Sequence, residues 1–147
     1  PLPAGPYREF RTARRRADLV LGESREEGSE FGLVYVPRPV LDSKGSVVLP
    51  GDADLLTAIA RPERLVEGVA RLGFRLERER TLPDHDPLDA PDLLAGFDPG
   101  RTILTTPKDW VKLSLRPEAE RYRWGIVHRE ARIGPPERFA AWLESRV

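Results

Sequence analysis

The chain has 147 residues, 39% of them apolar and 33% charged, and its 24 basic and 24 acidic residues cancel. That composition supplies a core but no net field for holding nucleic acid or an anionic membrane, so no nucleic-acid partner is expected. Twelve Gly and 15 Pro without a period exclude a collagen-like chain, the absence of Cys excludes disulfides and thiolate zinc sites, and two His argue against an all-histidine metal centre. No apolar run approaches the roughly 18 residues that span a bilayer, and the opening Pro1-Leu2-Pro3-Ala4-Gly5-Pro6 has no signal-peptide pattern, so a cytoplasmic location is expected. Met, Asn and Gln are missing and Arg outnumbers Lys by 21 to 3, which fits a thermophilic or GC-rich source. A reading frame opens on Met and this one opens on Pro1, so the sequence is read as a piece lacking its N-terminal part.

In chain order, Tyr7, Phe10 and Ala13 share a helical face over 6–16, and Ala17-Asp18-Leu19-Val20-Leu21 reads as a strand ending at Gly22. Leu33-Val34-Tyr35-Val36 and Ser46-Val47-Val48-Leu49 flank the turn Asp42-Ser43-Lys44-Gly45, predicting an antiparallel β-hairpin over about 32–50. The run Leu55 to Ala60 predicts a buried strand. Pro62 then opens a helix with Leu65, Val66, Val69, Ala70 and Leu72 on one face, and Gly73 closes it. Phe74 and Leu76 alternate with charges up to Thr81, residues 82–88 form a loop, and Asp89 begins a short helix from Ala90 to Phe97. Thr102 to Thr105 is a strand followed by a helical turn through Trp110, Val111 and Leu113. A strand from Tyr122 to Val127 follows, and then a helix opened by Pro135 and Pro136 with Phe139, Trp142 and Leu143 facing inward. These alternating units predict a single α/β domain over 1–147, with a mainly parallel sheet flanked by helices in three layers.

In such sheets chemistry sits beyond the carboxyl ends of strands, which selects the loops after Thr81 and Thr105. The first holds Pro83-Asp84-His85-Asp86-Pro87, an imidazole between two carboxylates. A carboxylate orients such a ring, which is how a general base for a hydroxyl is built, but the same residues also describe a capped turn with an exposed His85. The second holds Thr105-Thr106-Pro107-Lys108-Asp109-Trp110-Val111-Lys112, where two of the three lysines occur. A compact ammonium at a helix start suits a phosphate. Thr106 as N-cap, Pro107 at the first position and Asp109 near the positive dipole end equally describe an ordinary helix start. Leu2 to Glu9 is a rigid Pro-Gly-Pro loop suited to an anion, and no GxxxxGK[ST] signature occurs in the 147 residues.

Leu2-Pro3-Ala4-Gly5-Pro6-Tyr7-Arg8-Glu9, Ala17-Asp18, Ile59-Ala60-Arg61-Pro62-Glu63-Arg64, Pro83-Asp84-His85 and Leu104 to Lys112 together resemble, in order, the C-terminal half of the tetraacyldisaccharide 4'-kinase family. The resemblance covers essentially the whole chain. It implies a P-loop kinase-like fold and ATP- and Mg²⁺-dependent phosphorylation of the 4'-hydroxyl of a tetraacyldisaccharide 1-phosphate, a step of lipid A synthesis at the cytoplasmic face of the inner membrane. It further implies that the phosphate-binding loop, the acidic metal motif and an essential Asp lie in an N-terminal lobe outside these residues, so that ATP and Mg²⁺ are held mainly there and this piece alone is inactive. The catalytic residues implied are His85 and Asp84. Substrate or nucleotide contacts are expected at Thr106, Lys108, Asp109 and Arg8, with no metal ligand among them and a lipid disaccharide and ATP as partners. Peripheral membrane contact is a further expectation. Two departures stand out: Pro107 replaces the Glu of the family's Thr-Glu-Lys-Asp, and Gly22-Glu23 replaces an Asn after the Ala-Asp strand. A non-catalytic binding module derived from the same fold is the alternative reading.

Overall fold

A computed structural model describes residues 15–23 and 30–146. The helix expected over 6–16 and the loop containing Arg8 lie almost wholly outside the described residues. Contacts gather in two compact units, one made of residues up to Val36 together with Glu130 onward, the other of Pro37–Arg129.

The second unit carries both selected loops. Its sheet has the order β4-β3-β5-β6, built from β3 (Asp52–Thr57), β4 (Arg75–Thr81), β5 (Thr102–Thr105) and β6 (Arg123–Ile126), every pair parallel. α1 (Pro62–Arg71) connects β3 to β4, and α2 (Pro107–Leu113) with a 3₁₀ turn over Pro117–Arg121 connects β5 to β6. β3 is buried at every position after Asp52, as a central strand covered on both faces must be. Its side chains alternate between two clusters: Ala53 and Leu55 join Leu65, Val69 and Leu104 under α1, while Leu56 joins Ile103, Leu113 and Trp124 under α2. Leu55, Leu56 and Leu104 are each fully buried, worth about 1.5–3 kcal/mol apiece in removed apolar surface. Asp54, on the α2 side, has no solvent exposure, and Arg101 pairs with it at 3.0 Å. Gly73, at φ +89°, donates its N–H to the Ala70 carbonyl and stops α1 as expected.

Three expected elements differ in this unit. The strand placed at Leu55 to Ala60 starts three residues earlier and ends at Thr57, because the alternation of Ala53, Leu55 and Leu56 between two cores extends into the polar Asp52-Ala53-Asp54 stretch. The turn at Asp42 to Gly45 forms, with Asp42 Oδ1 accepting the N–H groups of Lys44 and Ser46, but its arms are a single antiparallel bridge, Leu41 to Val47. Leu41 also bridges Ile126, which pairs this segment with β6. The helix expected from Ala90 to Phe97 is a chain of turns with i to i+3 bonds. The Arg80 guanidinium takes the Asp92, Leu93 and Ala95 carbonyls, acceptors that a helix would have spent on its own backbone.

In the first unit, β1 (Leu21–Glu23) runs parallel to β2 (Phe31–Pro37), and β7 (Arg129–Gly134) lies on the other side of β2. The strand expected at 17–21 is therefore displaced toward the C-terminus, and β7 was not foreseen because its Arg-Glu-Ala-Arg-Ile-Gly stretch holds only Ala131 and Ile133 as apolar residues, too short an alternation to mark a strand. In α3 (Pro136–Glu144) Phe139 packs edge-on against the buried Phe31 and stacks on Trp142. Leu143, expected on the inner face, is 45% exposed.

Gly125 in β6 sits where a Cβ would come within 2.7 Å of Leu104 Cδ2 and 2.9 Å of Val40 Cγ1, both buried. Gly125→Ala is expected to destabilise the full-length protein by about 1–3 kcal/mol through overpacking, read as a lower urea midpoint at unchanged slope.

Candidate functional site

The chain leaves β3 toward β4 in one direction, while β5 lies on the opposite side of β3. The carboxyl ends of β3 and β5 thus form a topological switch point, the crevice where open α/β sheets bind their ligands. Three threonines end the strands around it: Thr57, Thr81 and Thr105.

The crevice is fastened by Asp109. This carboxylate has no solvent exposure, and its Oδ2 accepts from Thr57 Oγ1 at 2.7 Å, from the Ala58 N–H at 3.0 Å and from Thr106 Oγ1 at 2.9 Å. Thr106 is the N-cap of α2 and its hydroxyl in turn accepts the Asp109 N–H at 3.2 Å, with Pro107 at the first helical position. The helix-start reading of Thr106, Pro107 and Asp109 therefore holds in full. Asp109, expected to touch a ligand, spends Oδ2 on the protein's own donors; its Oδ1 is buried and without a hydrogen-bond partner among the described residues.

Lys108 projects from the same turn into the crevice. Its ammonium donates to Asp84 Oδ1 at 2.7 Å and to the Ala58 carbonyl at 3.3 Å, so the loops after β3, β4 and β5 converge on one nitrogen. An ammonium has three N–H donors, which leaves one for a further acceptor. The Lys108 contact, foremost, holds the Asp84 carboxyl below its ordinary range, with desolvation opposing and His85 adding to the effect. Asp84 is thus an anion at neutral pH. His85 Nε2 stands 3.5 Å from Asp84 Oδ2, with the imidazole 81% exposed, and the His85 N–H donates to Asp84 Oδ1 at 3.0 Å. Asp86 does not flank the imidazole as a second carboxylate; its Oδ1 accepts the Leu88 N–H at 2.8 Å.

His85 and Leu88 both have left-handed backbones, φ 67° and 59°. Such conformations cost of order 1–3 kcal/mol each in non-glycine residues and persist only where surroundings impose them. Leu88 is imposed by burial, at 1% exposure within the cluster under α2. Two further cations reach this loop: Lys112 Nζ donates to the Asp86 carbonyl at 2.5 Å, and Arg116 donates to the carbonyls of Leu88 at 2.6 Å and Ala90 at 2.9 Å. Glu118 holds the Arg116 guanidinium, and that contact lowers the Glu118 carboxyl. For Lys112 the signal was its spacing of four from Lys108 on one face of α2; Arg116, at the cap of the following 3₁₀ turn, carried no such signal. Among the described residues no three His, Asp or Glu gather as metal ligands.

A parallel α/β unit with an Asp-His pair and a lysine meeting at its switch point has the layout of the open α/β sheets that bind ligands beyond their strand ends. The chain belongs to the tetraacyldisaccharide-1-P 4'-kinase family, which it matches over residues 1–147. It is 34% identical over 116 residues to the tetraacyldisaccharide 4'-kinase of Aeromonas hydrophila, covering 76% of this chain and 34% of that protein. With the enzyme of that name from Actinobacillus succinogenes it shares 30% identity over 148 residues, covering 97% of this chain and 44% of the relative. The chain thus spans between a third and a half of these relatives' length. The LpxK of Aquifex aeolicus, crystallised in an apo form in complex with ATP, has the same fold at TM-score 0.68 and 20% identity, over 98% of this chain and 47% of that one.

Two outcomes are expected from this geometry. Because the folded Asp84 carboxyl is depressed, its pairing contributes stability above its ordinary value of 3.8 and loses it as pH falls through the lower folded value. Lys108→Ala is expected to raise the Asp84 carboxyl, measured by carbon-detected NMR titration. Asp109→Ala, which strands two hydroxyls and an N–H, is expected to cost about 3 kcal/mol in chemical denaturation, and Asp109→Asn, which keeps one acceptor, clearly less.

Proposed function

We propose that the chain is the acceptor-side part of an ATP-dependent kinase that phosphorylates the 4'-hydroxyl of a tetraacyldisaccharide 1-phosphate, with His85 taking the hydroxyl proton. The observation that supports this reading most is the Lys108 to Asp84 pair, which joins the two loops selected from sequence and presents an oriented, exposed imidazole beside them, in a chain of this family. With Nε2 turned to Asp84, Nδ1 is the ring nitrogen left for the substrate. The acceptor oxygen forms its bond to the γ-phosphorus of ATP, the bond from that phosphorus to the bridging oxygen breaks, ADP leaves, and the acceptor proton passes to His85. Asp84, kept anionic by Lys108, holds the ring and stabilises the imidazolium.

The described residues contain no fitting magnesium ligand set, and metal and most of the nucleotide are assigned to the remainder of the full-length protein. The third N–H of Lys108 fits a phosphate oxygen, and Thr106, whose hydroxyl is engaged with Asp109, serves as the cap that sets the turn carrying Lys108. Asp109 contributes by fixing both, and Arg8 is assigned to the substrate side. A peripheral contact at the cytoplasmic face of the inner membrane is the proposed setting for a lipid acceptor; no helix among the described residues is long and apolar enough to cross a membrane.

Transfer from labelled ATP to a disaccharide 1-phosphate acceptor by the full-length protein tests the reading. His85→Ala is expected to lower turnover by about 10²-fold or more while the apparent ATP constant moves little. Unchanged turnover would remove His85 from the chemistry, and absence of transfer by the unaltered protein would remove the acceptor.

A further inference from the structure

Lys112 touches nothing that reacts, yet it is one of only three lysines among 24 basic residues and follows Lys108 by one helical turn. Arg116, which caps the 3₁₀ turn that follows α2, adds a third cation over residues 84–90. Lys108 meets the Asp84 side chain, Lys112 the Asp86 carbonyl, and Arg116 the Leu88 and Ala90 carbonyls. The three contacts advance along the loop in the same order as their donors follow in the chain. The ties bracket the left-handed residues: Asp84 and Asp86 flank His85 at φ 67°, and Leu88, at φ 59°, is itself held through its carbonyl.

Asp86 is the node of this arrangement. Its N–H donates to the Pro83 carbonyl at 3.0 Å, its side chain accepts the Leu88 N–H, and its carbonyl accepts from Lys112. The first two bonds close local turns that a loop makes by itself. The third is the tie from Asp86 to α2, whose start is in turn bolted to β3 through Asp109. An ammonium suits this task better than a guanidinium fork, because a single carbonyl offers one point of attachment.

We infer that Lys112 is a positioning residue: by holding the Asp86 carbonyl to α2 it sets the left-handed backbone at His85 and so the placement of the imidazole against the acceptor hydroxyl. This rests on the reading of His85 as the proton acceptor. A misplaced reacting group by about 1 Å costs on the order of 10²-fold in rate, and the effect belongs in turnover rather than in nucleotide binding.

The experiment is a double-mutant cycle in the full-length protein, with transfer from ATP to the disaccharide 1-phosphate as readout and thermal melting of each variant beside it. Lys112→Met, which keeps length and removes the donor, is expected to lower kcat about 10- to 100-fold with the ATP KM within about twofold, and Lys112→Arg to recover part of the loss. In the His85→Ala background Lys112→Met is expected to cost nothing further, since a residue acting only through the imidazole has no effect once the imidazole is gone. An equal loss in both backgrounds, or a loss confined to KM, overturns the inference while leaving His85 in its role. A Lys112→Met enzyme with unchanged kcat does the same. If Lys112→Met melts early, Lys112→Arg decides: a stable Lys112→Arg variant with no turnover recovered counts against the tie. Full turnover in His85→Ala overturns the reading of His85 and this inference with it.

Discussion

One buried carboxylate oxygen, Asp109 Oδ2, fixes the geometry on which the rest of the site depends. It accepts three donors from the end of β3 and the start of α2, two strands' worth of connection gathered on a single atom. Such an atom is costly to bury and is stable only because its donors are supplied by the fold. Through it the first turn of α2 is set against Thr57 and Ala58, and with that turn the direction in which Lys108 leaves the helix. The ammonium then reaches the Ala58 carbonyl and Asp84 without further adjustment. The order of dependence is core strand, helix start, lysine, carboxylate, imidazole.

The same chain of contacts explains why the loop after β4 is ordered although it contains neither helix nor strand. Turns over 82–97 leave many carbonyls unpaired, and three basic side chains from regular or capping positions, Arg80, Lys112 and Arg116, take them. Leu88, Leu93, Leu94 and Phe97 bury their side chains beneath, so the loop is held from below by apolar contact and along its flank by charge-assisted hydrogen bonds. Arg80 also lies 5.3 Å over the Phe97 ring, using one guanidinium for both kinds of hold.

Much of this was legible in the residues. The βα alternation of the second unit, the Pro62 and Pro107 helix starts and the Gly73 stop rest on local chemistry that tertiary contacts did not override. The two loops were found from the rule about strand ends, and the Lys108 to Asp84 contact joins them. What stayed hidden depends on long-range partners. No local pattern says that Arg80 will consume the carbonyls of residues 92–95 and prevent a helix, or that Leu41 will pair with Ile126 and narrow the hairpin. Asp86 looked like the twin of Asp84, and only the direction of its side chain, toward the Leu88 N–H, separates a turn-former from a ring-holder. Asp109 looked equally fit for a ligand and for a cap, and burial decides which duty its Oδ2 performs.

The division of the chain has a consequence in time. The unit that carries Asp84, His85, Lys108 and Asp109 is one uninterrupted stretch, Pro37–Arg129, whereas its neighbour needs segments from before Val36 and after Glu130. During synthesis a chain emerges from its N-terminal side, and domains fold as units as they become complete. The switch-point crevice therefore has all its parts once Arg129 has left the ribosome, while β2 still waits for β7 and Phe31 for Phe139. For that interval β2 has an open edge and Phe31 an uncovered ring, so the stretch most exposed to mispairing during synthesis lies outside the unit that carries the chemistry.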